Sequence, residues 1–422
     1  MVIVESKQEV QNFLELWNTE ISTIIPIWCD LDKHPQNNSL SFLFVSFKDD
    51  SYVIPFEHTD CLTPEIDLSE SETMKWVWDK KSILQCKDLN IKGLRDIQTY
   101  LFFSKNEIYP LEDKLEVLRG FYTRLGIRDE LGKSIPIMKF IEVLSQINKD
   151  FQNLPQNENV GKIWIDDDMI PTLSEVERLG IKVDKEKFFD KWDAKYHAKH
   201  LKGDIIYTQF NPYTITSRPA NSHGGINFSA LNKDDGTRDI FIPREGKVFV
   251  QLDYDAYHIR IMAKIINYDI PDDSGHQWLA KQYGCDYGEA KVRTFQNIYG
   301  GIRDKHIPFF KEVDKFIQTF WSNTKHGEFI QTPKRRIPLK YVQDANAQKV
   351  FNYLLQSMET ELNMDVLKKL NEMGHTPLFY TYDSFLFEVD KGDKDTVRKI
   401  KEIVEYKGFP SKIGVGMNYS EV

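Results

Sequence analysis

The chain has 422 residues, too many for one ordinary domain and enough for two or three. With 41% hydrophobic and 13% aromatic residues it can bury real cores, which excludes wholesale disorder. The net charge of −9 argues against a broadly basic surface, although the acidity concentrates in residues 1–180 and leaves the remainder slightly basic.

The opening MVIVESKQEVQNFLELW reads as a helix and carries acids where a secretion signal carries positive charge. Three strands are expected next, at IIPIW (24–28), SFLFVSF (41–47) and SYVIPF (51–56), from their β-branched and aromatic content between polar breaks. Residues 107–147 turn helical. NKDFQNLPQNENVGK (148–162) reads as a linker, and the Asp166–Asp168 run as a solvated loop. A second helical stretch covers 173–200, broken near Gly180, with Lys185 to Lys202 as one helix. The strongest strand signal is IPREGKVFVQLDY (242–254). Helices dominate 274–324 and 343–373, and TPLFYTYDSFLFEVD (376–390) has the pattern of a hairpin. No apolar run approaches the roughly 20 residues of a membrane span. Cys29, Cys61, Cys86 and Cys285 are irregularly spaced and form no CxxC pair. Reduced thiols in a cytoplasmic protein without membrane association are expected.

Three segments of the second half carry chemistry. In VFVQLDYDAYHIRIMA (248–263) an apolar strand runs into Asp253, where a carboxylate is costly unless a cation or donor answers it. In TYDSFLFEV (381–389) Asp383 heads a hairpin strand. Two aspartates from distant strands suit Mg²⁺, a hard ion held by one or two carboxylates plus substrate phosphates. In GEAKVRTFQNIYGG (288–301), Lys291, Phe295 and Tyr299 recur every four residues and share one helix face. A cation followed by two rings can hold a triphosphate, stack on a base and wall off a sugar. His276, at the start of the preceding helix, is placed to add a phosphate contact. A structural alternative for the same face is a snorkelling lysine above two core aromatics.

These segments resemble motifs A, B and C of the A-family DNA polymerases, the bacterial DNA polymerase I group. TSRPANSHGGINFSAL (216–231), GEFIQTPKRRIPL (327–339) and FNYLLQ (351–356) resemble further family segments in the same order, so the resemblance spans about Asp204 to Val422. It implies that Asp253 and Asp383, with the Tyr254 carbonyl, bind two Mg²⁺ ions, Mn²⁺ serving in their place. It gives the triphosphate to Lys291 and His276, and the base and sugar to Phe295 and Tyr299. Arg218, Asn227, Asn352 and Gln356 would contact primer and template, and Lys334, Arg335 and Arg336 would track backbone phosphate.

The departures are specific. The motif A glutamate that excludes a ribose 2′-hydroxyl falls at His258, which puts the choice between dNTPs and rNTPs in question. The motif C pattern His-Asp-Glu reads Tyr382-Asp383-Ser384, and the arginine expected four residues before the motif B lysine falls at Tyr287, with Arg293 a candidate substitute. Residues 27–56 resemble the start of a 3′–5′ exonuclease domain, with Asp30 and Asp32 as its first acids and Tyr109 and Asp113 as a later motif. Lys92 stands where another aspartate belongs, so an inactive remnant is expected. EVERLGIKVD (175–184) resembles the approach to the thumb, but too little chain follows for a helical pair that wraps duplex DNA.

The expected fold is therefore α+β: a right-hand polymerase with palm and fingers and the thumb largely missing, preceded by a reduced exonuclease-like α/β domain. Its expected divisions are 1–120 (exonuclease-like), 121–203 (helical linker and vestigial thumb) and 204–422 (palm and fingers, the fingers at about 264–326). The shape resembles small A-family polymerases of mobile elements, such as those on staphylococcal cassette chromosomes. That implies a poorly processive enzyme acting on a DNA template and primer with dNTPs or rNTPs, and a priming role with a small DNA-binding partner protein. A gap-filling repair polymerase and a non-catalytic DNA-binding module are the alternatives.

Overall fold

The computed structural model describes residues 1–31, 33–86, 89–105, 111–152, 160–192, 201–221, 226–271 and 274–422. The chain forms two compact units, one of residues 1–178 and 193–207, the other of 179–192 and 208–422.

The first unit is built on a mixed six-stranded sheet of β1 (Val2–Ile3), β2 (Ser22–Trp28), β3 (Leu40–Ser46), β4 (Ser51–Pro55), β5 (Lys75–Val77) and β6 (Leu94–Asp96), in the spatial order β1-β4-β3-β2-β5-β6. β2, β3 and β4 pair antiparallel, and β1, β5 and β6 join in parallel. The near-continuous apolar runs of β2 and β3 follow from burial on both faces. Ile25, Ile27, Phe42 and Phe44 face a core completed by Phe140 and Leu144 of the helix Ile137–Gln152. Ile24, Leu43 and Val45 face a second core with Phe13 and Trp17 of the helix Lys7–Thr19. That first helix begins with a capping box, Ser6 accepting from the Glu9 N–H and Glu9 reaching back to Ser6.

Two expectations fail in this unit. The supposed linker begins inside the helix Ile137–Gln152, while residues 153–159 lie outside the described residues. The Asp166–Asp168 run is not a solvated loop but part of a wide π-helical turn, Trp164–Met169. Asp166 is buried there, 2.9 Å from Lys80 Nζ, with Arg95 also near and the Asp96 N–H donating to it. Its partners lie 70 to 86 residues upstream in the chain, so local polarity misreads it. Burial raises its carboxyl above the ordinary value despite the adjacent Lys80. Nearby, Lys81 and Gln85 both bond the buried Glu177.

In the second unit β7 (Ile181–Lys182) leads to the helix Lys185–Lys191; β8 (Leu201–Lys202) and β9 (Ile205–Ile206) form a small hairpin of the first unit. The single helix expected from Lys185 to Lys202 is corrected: it ends at Lys191, where Trp192 turns extended and packs its ring on Phe188 and Phe241. The main sheet of the second unit contains β10 (Lys247–Tyr254) in its interior. A short hairpin, β11 (Phe329–Gln331) and β12 (Arg336–Pro338), stands apart from it. β13 (Phe379–Thr381), β14 (Ser384–Asp390) and β15 (Ser411–Gly416) complete the main sheet in the order β13-β14-β10-β15, all antiparallel. The helices Tyr257–Ile266, Gly275–Tyr283, Tyr287–Gly300 and Pro308–Thr324 follow β10, and the long helix Ala347–Glu372 precedes β13. All four cysteines are free thiols, and among the described residues no helix is long and apolar enough to cross a membrane.

The buried ion cluster gives a stability prediction. Asp166→Ala leaves Lys80 buried without its carboxylate and should destabilise the first unit by about 3 kcal/mol in urea unfolding. Lys139→Ala, which removes an exposed pair with Glu142, should match wild type. Equal stability of Asp166→Ala and wild type would contradict the assignment.

Candidate active site

Pairing register brings the two aspartates together. Asp253 stands opposite Ser384 in β10·β14, and the Tyr254 N–H donates to the Asp383 carbonyl at 2.9 Å. Asp383 lies in a two-residue hairpin loop with Tyr382, since Thr381 pairs with Ser384. Tyr382 adopts a φ of +63°, as tight hairpin turns require. Burial first and Asp383 second push the Asp253 carboxyl up to about 6. The Asp383 carboxyl is also raised, by its surroundings first and by Glu359 second. Asp383 is itself exposed on the cleft. Among the described residues no basic side chain forms an ion pair with either aspartate, and no third acid, histidine or thiol completes a metal-binding group with them. Two crowded carboxylates without a bound cation of their own fit a divalent ion whose remaining ligands are substrate and water.

The cleft around them encloses about 440 Å³ and is lined by Arg218, Asp253, Tyr254, His258, His276, Lys291, Phe295, Tyr299 and Asp383 among others. The helix Tyr287–Gly300, capped by Asp286 on the Glu289 N–H, carries the Lys291–Phe295–Tyr299 face. Phe295 and Tyr299 are substantially exposed, and their rings stack at 5.8 Å and 13°. Such rings on an open cleft are not core residues. His276 is buried at the start of its helix with Nδ1 unpartnered, and burial, then Lys291, hold its pKa below the ordinary value. A neutral imidazole there retains a donor.

Two relays flank the pair, each with a residue that sequence reasoning missed. In the first, His258 Nδ1 lies 2.6 Å from the Tyr299 hydroxyl, and its Nε2 is 3.1 Å from Glu359. The other Glu359 oxygen lies 3.1 Å from Arg218 Nε, and the Arg218 guanidinium stacks 3.6 Å over the Tyr382 ring. Burial works to raise the Glu359 carboxyl, but His258 first and Arg218 next outweigh it and hold it below the usual range. Its spacing was a usable signal: Asn352, Gln356 and Glu359 fall at i, i+4 and i+7 on one helix. In the second relay, buried Asp255 accepts from the Gly275 N–H at 2.7 Å and Arg260 Nη2 at 3.1 Å, and pairs with Lys412 at 2.7 Å. Gly275 is required by this close approach, because a Cβ there would lie 2.8 Å from the Ala256 Cβ.

Other expected residues lie elsewhere. Arg335 is corrected: it is buried, bonds Ser217, and burial lowers its pKa to about 10, so it braces the turn before Arg218 instead of tracking phosphate. Lys334 pairs with Asp365, and exposed Arg336 donates to Gln331. Asn227 is exposed and accepts from Ser229, Asn352 accepts from Gln348, and Gln356 is half-buried; none lines the cleft. Arg293, the candidate substitute for an arginine at Tyr287, bonds Asp304 and does not line the cleft. In the first unit, Asp30 pairs with Lys33 at 3.4 Å and Lys92 with Glu72 at 2.9 Å. Asp32 and Tyr109 lie outside the described residues; Asp113 falls within the helix Leu111–Arg124.

No protein-family model matches the chain. It is 25% identical over 340 residues to a DNA polymerase of Mycobacterium phage L5, an alignment covering 74% of this chain and 50% of the phage protein. The chain thus spans about half the length of that relative. Its structure is similar to the POL domain of Pol1 from M. smegmatis, solved in complex with DNA primer-template and dNTP, with a TM-score of 0.69, 14% identity and full coverage of both chains. The fold is that of a DNA polymerase domain.

The raised Asp253 carboxyl fixes a pH dependence. Between about pH 4 and pH 6 the unfolded chain ionises this group while the native chain still holds the proton, so stability falls as pH rises through that window. Asp253→Asn should remove this component and stabilise the metal-free protein at neutral pH by on the order of 2 kcal/mol. Parallel urea-unfolding curves for the two proteins across pH would exclude the raised pKa.

Proposed function

We propose that this chain is a template-directed DNA polymerase of the A-family type, adding nucleotides to a nucleic-acid 3′-hydroxyl. One observation carries the reading: a single cleft gathers Asp253 and Asp383 beside the Lys291–Phe295–Tyr299 face of a neighbouring helix. The fold similarity to a polymerase domain and the partial identity to a phage DNA polymerase support it.

Asp253 and Asp383, with the Tyr254 carbonyl, are the residues that would hold two Mg²⁺ ions, or Mn²⁺ in their place. Those ions would supply Lewis-acid stabilisation to the attacking 3′-oxygen and the leaving pyrophosphate. The chain's own groups do the rest. Lys291 gives a fixed positive charge to the triphosphate, and His276 an uncharged donor. Phe295 offers its face to the base and Tyr299 closes the sugar side. His258 holds the Tyr299 hydroxyl in place at the sugar side, so that the ring walls off the space a ribose 2′-hydroxyl would enter and favours dNTPs over rNTPs. Arg218, held between Glu359 and Tyr382, faces the primer terminus.

The first unit is read as a reduced exonuclease-like domain without activity, a reading supported by the pairing of Asp30 with Lys33 and of Lys92 with Glu72. The early end of the helix Lys185–Lys191 supports a vestigial thumb and low processivity. An enzyme with so little grip on duplex suits short synthesis, including priming, with a small DNA-binding partner protein supplying the hold.

Incorporation on primed and unprimed single-stranded DNA, with dNTPs or rNTPs, tests this reading. Primer extension should appear with dNTPs and fall at least about 1,000-fold in Asp253→Ala and Asp383→Ala. Products on unprimed template would support priming. Extension undiminished by either substitution would overturn the site assignment.

A further inference from the structure

The motif B helix has Tyr287 where the resemblance expects an arginine, and Arg293 is committed to Asp304. A cation reaches the same wall from the opposite side of the cleft. Lys412 of β15 stands directly opposite Asp253 of β10, so the two side chains leave the sheet on one face. Lys412 lines the cleft together with Lys291 and His276, and its ammonium lies 5.9 Å from the Tyr287 ring centroid.

The surroundings of Lys412 leave it donors to spare. Its Nζ is 2.7 Å from Asp255, whose carboxylate also serves buried Arg260 and the Gly275 N–H. One carboxylate therefore answers two cations. Arg260 is enclosed, whereas the Lys412 side chain is 57% exposed and presents its ammonium at the cleft surface. An ammonium has three donors, and Asp255 occupies one. The same carboxylate grips the backbone immediately before His276, so the lysine and the histidine are set from one anchor.

We propose that Lys412 binds the triphosphate tail of the incoming nucleotide, replacing from the sheet the cation missing at Tyr287, with Asp255 as its positioning residue. This rests on the nucleotidyl-transfer reading above. Charge-assisted bonds to phosphate oxygens are strong, and an ammonium already anchored at one point loses less freedom on making them.

The test uses inorganic tripolyphosphate with Mg²⁺, measured by calorimetry on the full chain, beside steady-state incorporation. Lys412→Gln should weaken tripolyphosphate binding at least tenfold and raise KM for dNTP by a similar factor, with kcat changed less. Lys412→Arg should retain most of both, and Lys399→Gln, on the exposed side of the helix Lys394–Val404, should match wild type. In wild-type protein, tripolyphosphate should protect Lys412 from acetylation, a readout that needs no variant to fold. Unchanged tripolyphosphate binding in Lys412→Gln, or unprotected Lys412, would overturn the proposal. So would a dNTP defect without a tripolyphosphate defect, which would mean that Lys412 acts only by bracing Asp255. Lys412-dependent tripolyphosphate binding in a protein that extends no primer would keep the phosphate site and reject the polymerase reading.

Discussion

Two antiparallel pairings around one strand set the terms for the second unit. β10 pairs with β14 on one side and β15 on the other, and that register fixes Asp253 beside the Tyr382–Asp383 turn and opposite Lys412. A slip of one residue would send Asp253 to the other face of the sheet. The register thus forces two carboxylates together: burial and then Asp383 raise the Asp253 carboxyl, and burial and then Glu359 raise that of Asp383. Such a pair is unfavourable in the isolated protein, and a cation between the carboxylates would relieve it.

Among the described residues, no basic side chain of the cleft forms a direct ion pair with either aspartate. Arg218 and His258 are answered by Glu359, and Arg260 and Lys412 by Asp255, so the strongest ion pairs run alongside the two aspartates without reaching them. Three of the seven non-glycine residues with positive φ among the described residues lie beside this cleft. Ser217, Ala256 and Tyr382, none of them glycine, have positive φ, and they immediately precede Arg218, begin the helix after Asp255, and precede Asp383. Strained positions persist where surrounding structure over-determines them, and function commonly uses them.

Much of this was legible in the sequence because the signals are local. The strand into Asp253, the hairpin around Asp383 and the four-residue spacing of Lys291, Phe295 and Tyr299 are each readable within about ten residues, and the cleft contains all of them. What escaped depends on partners distant in the chain. Asp166 looks like a loop acid until Lys80 and Arg95 fold against it. Arg335 looks like a surface cation within a basic run, but Ser217, 118 residues away, draws it inside. Glu359 was hidden because a carboxylate in the middle of a long helix resembles a solvated residue, and only His258 and Arg218 explain its burial. The early end of the helix at Lys191 escaped for a similar reason: Trp192 is captured by Phe241, which local periodicity cannot register.

The central claim is that Asp253 and Asp383 form one divalent-cation site that matures when a nucleotide enters. Mn²⁺ binding followed by electron paramagnetic resonance, with and without dNTP, tests it most directly. Tight binding that requires both carboxylates, is strengthened by dNTP, and is lost in Asp253→Asn and in Asp383→Asn is the predicted result. Binding of equal strength in wild type and both variants would mean that the two aspartates are not a metal site, and the account of the cleft would fail with it.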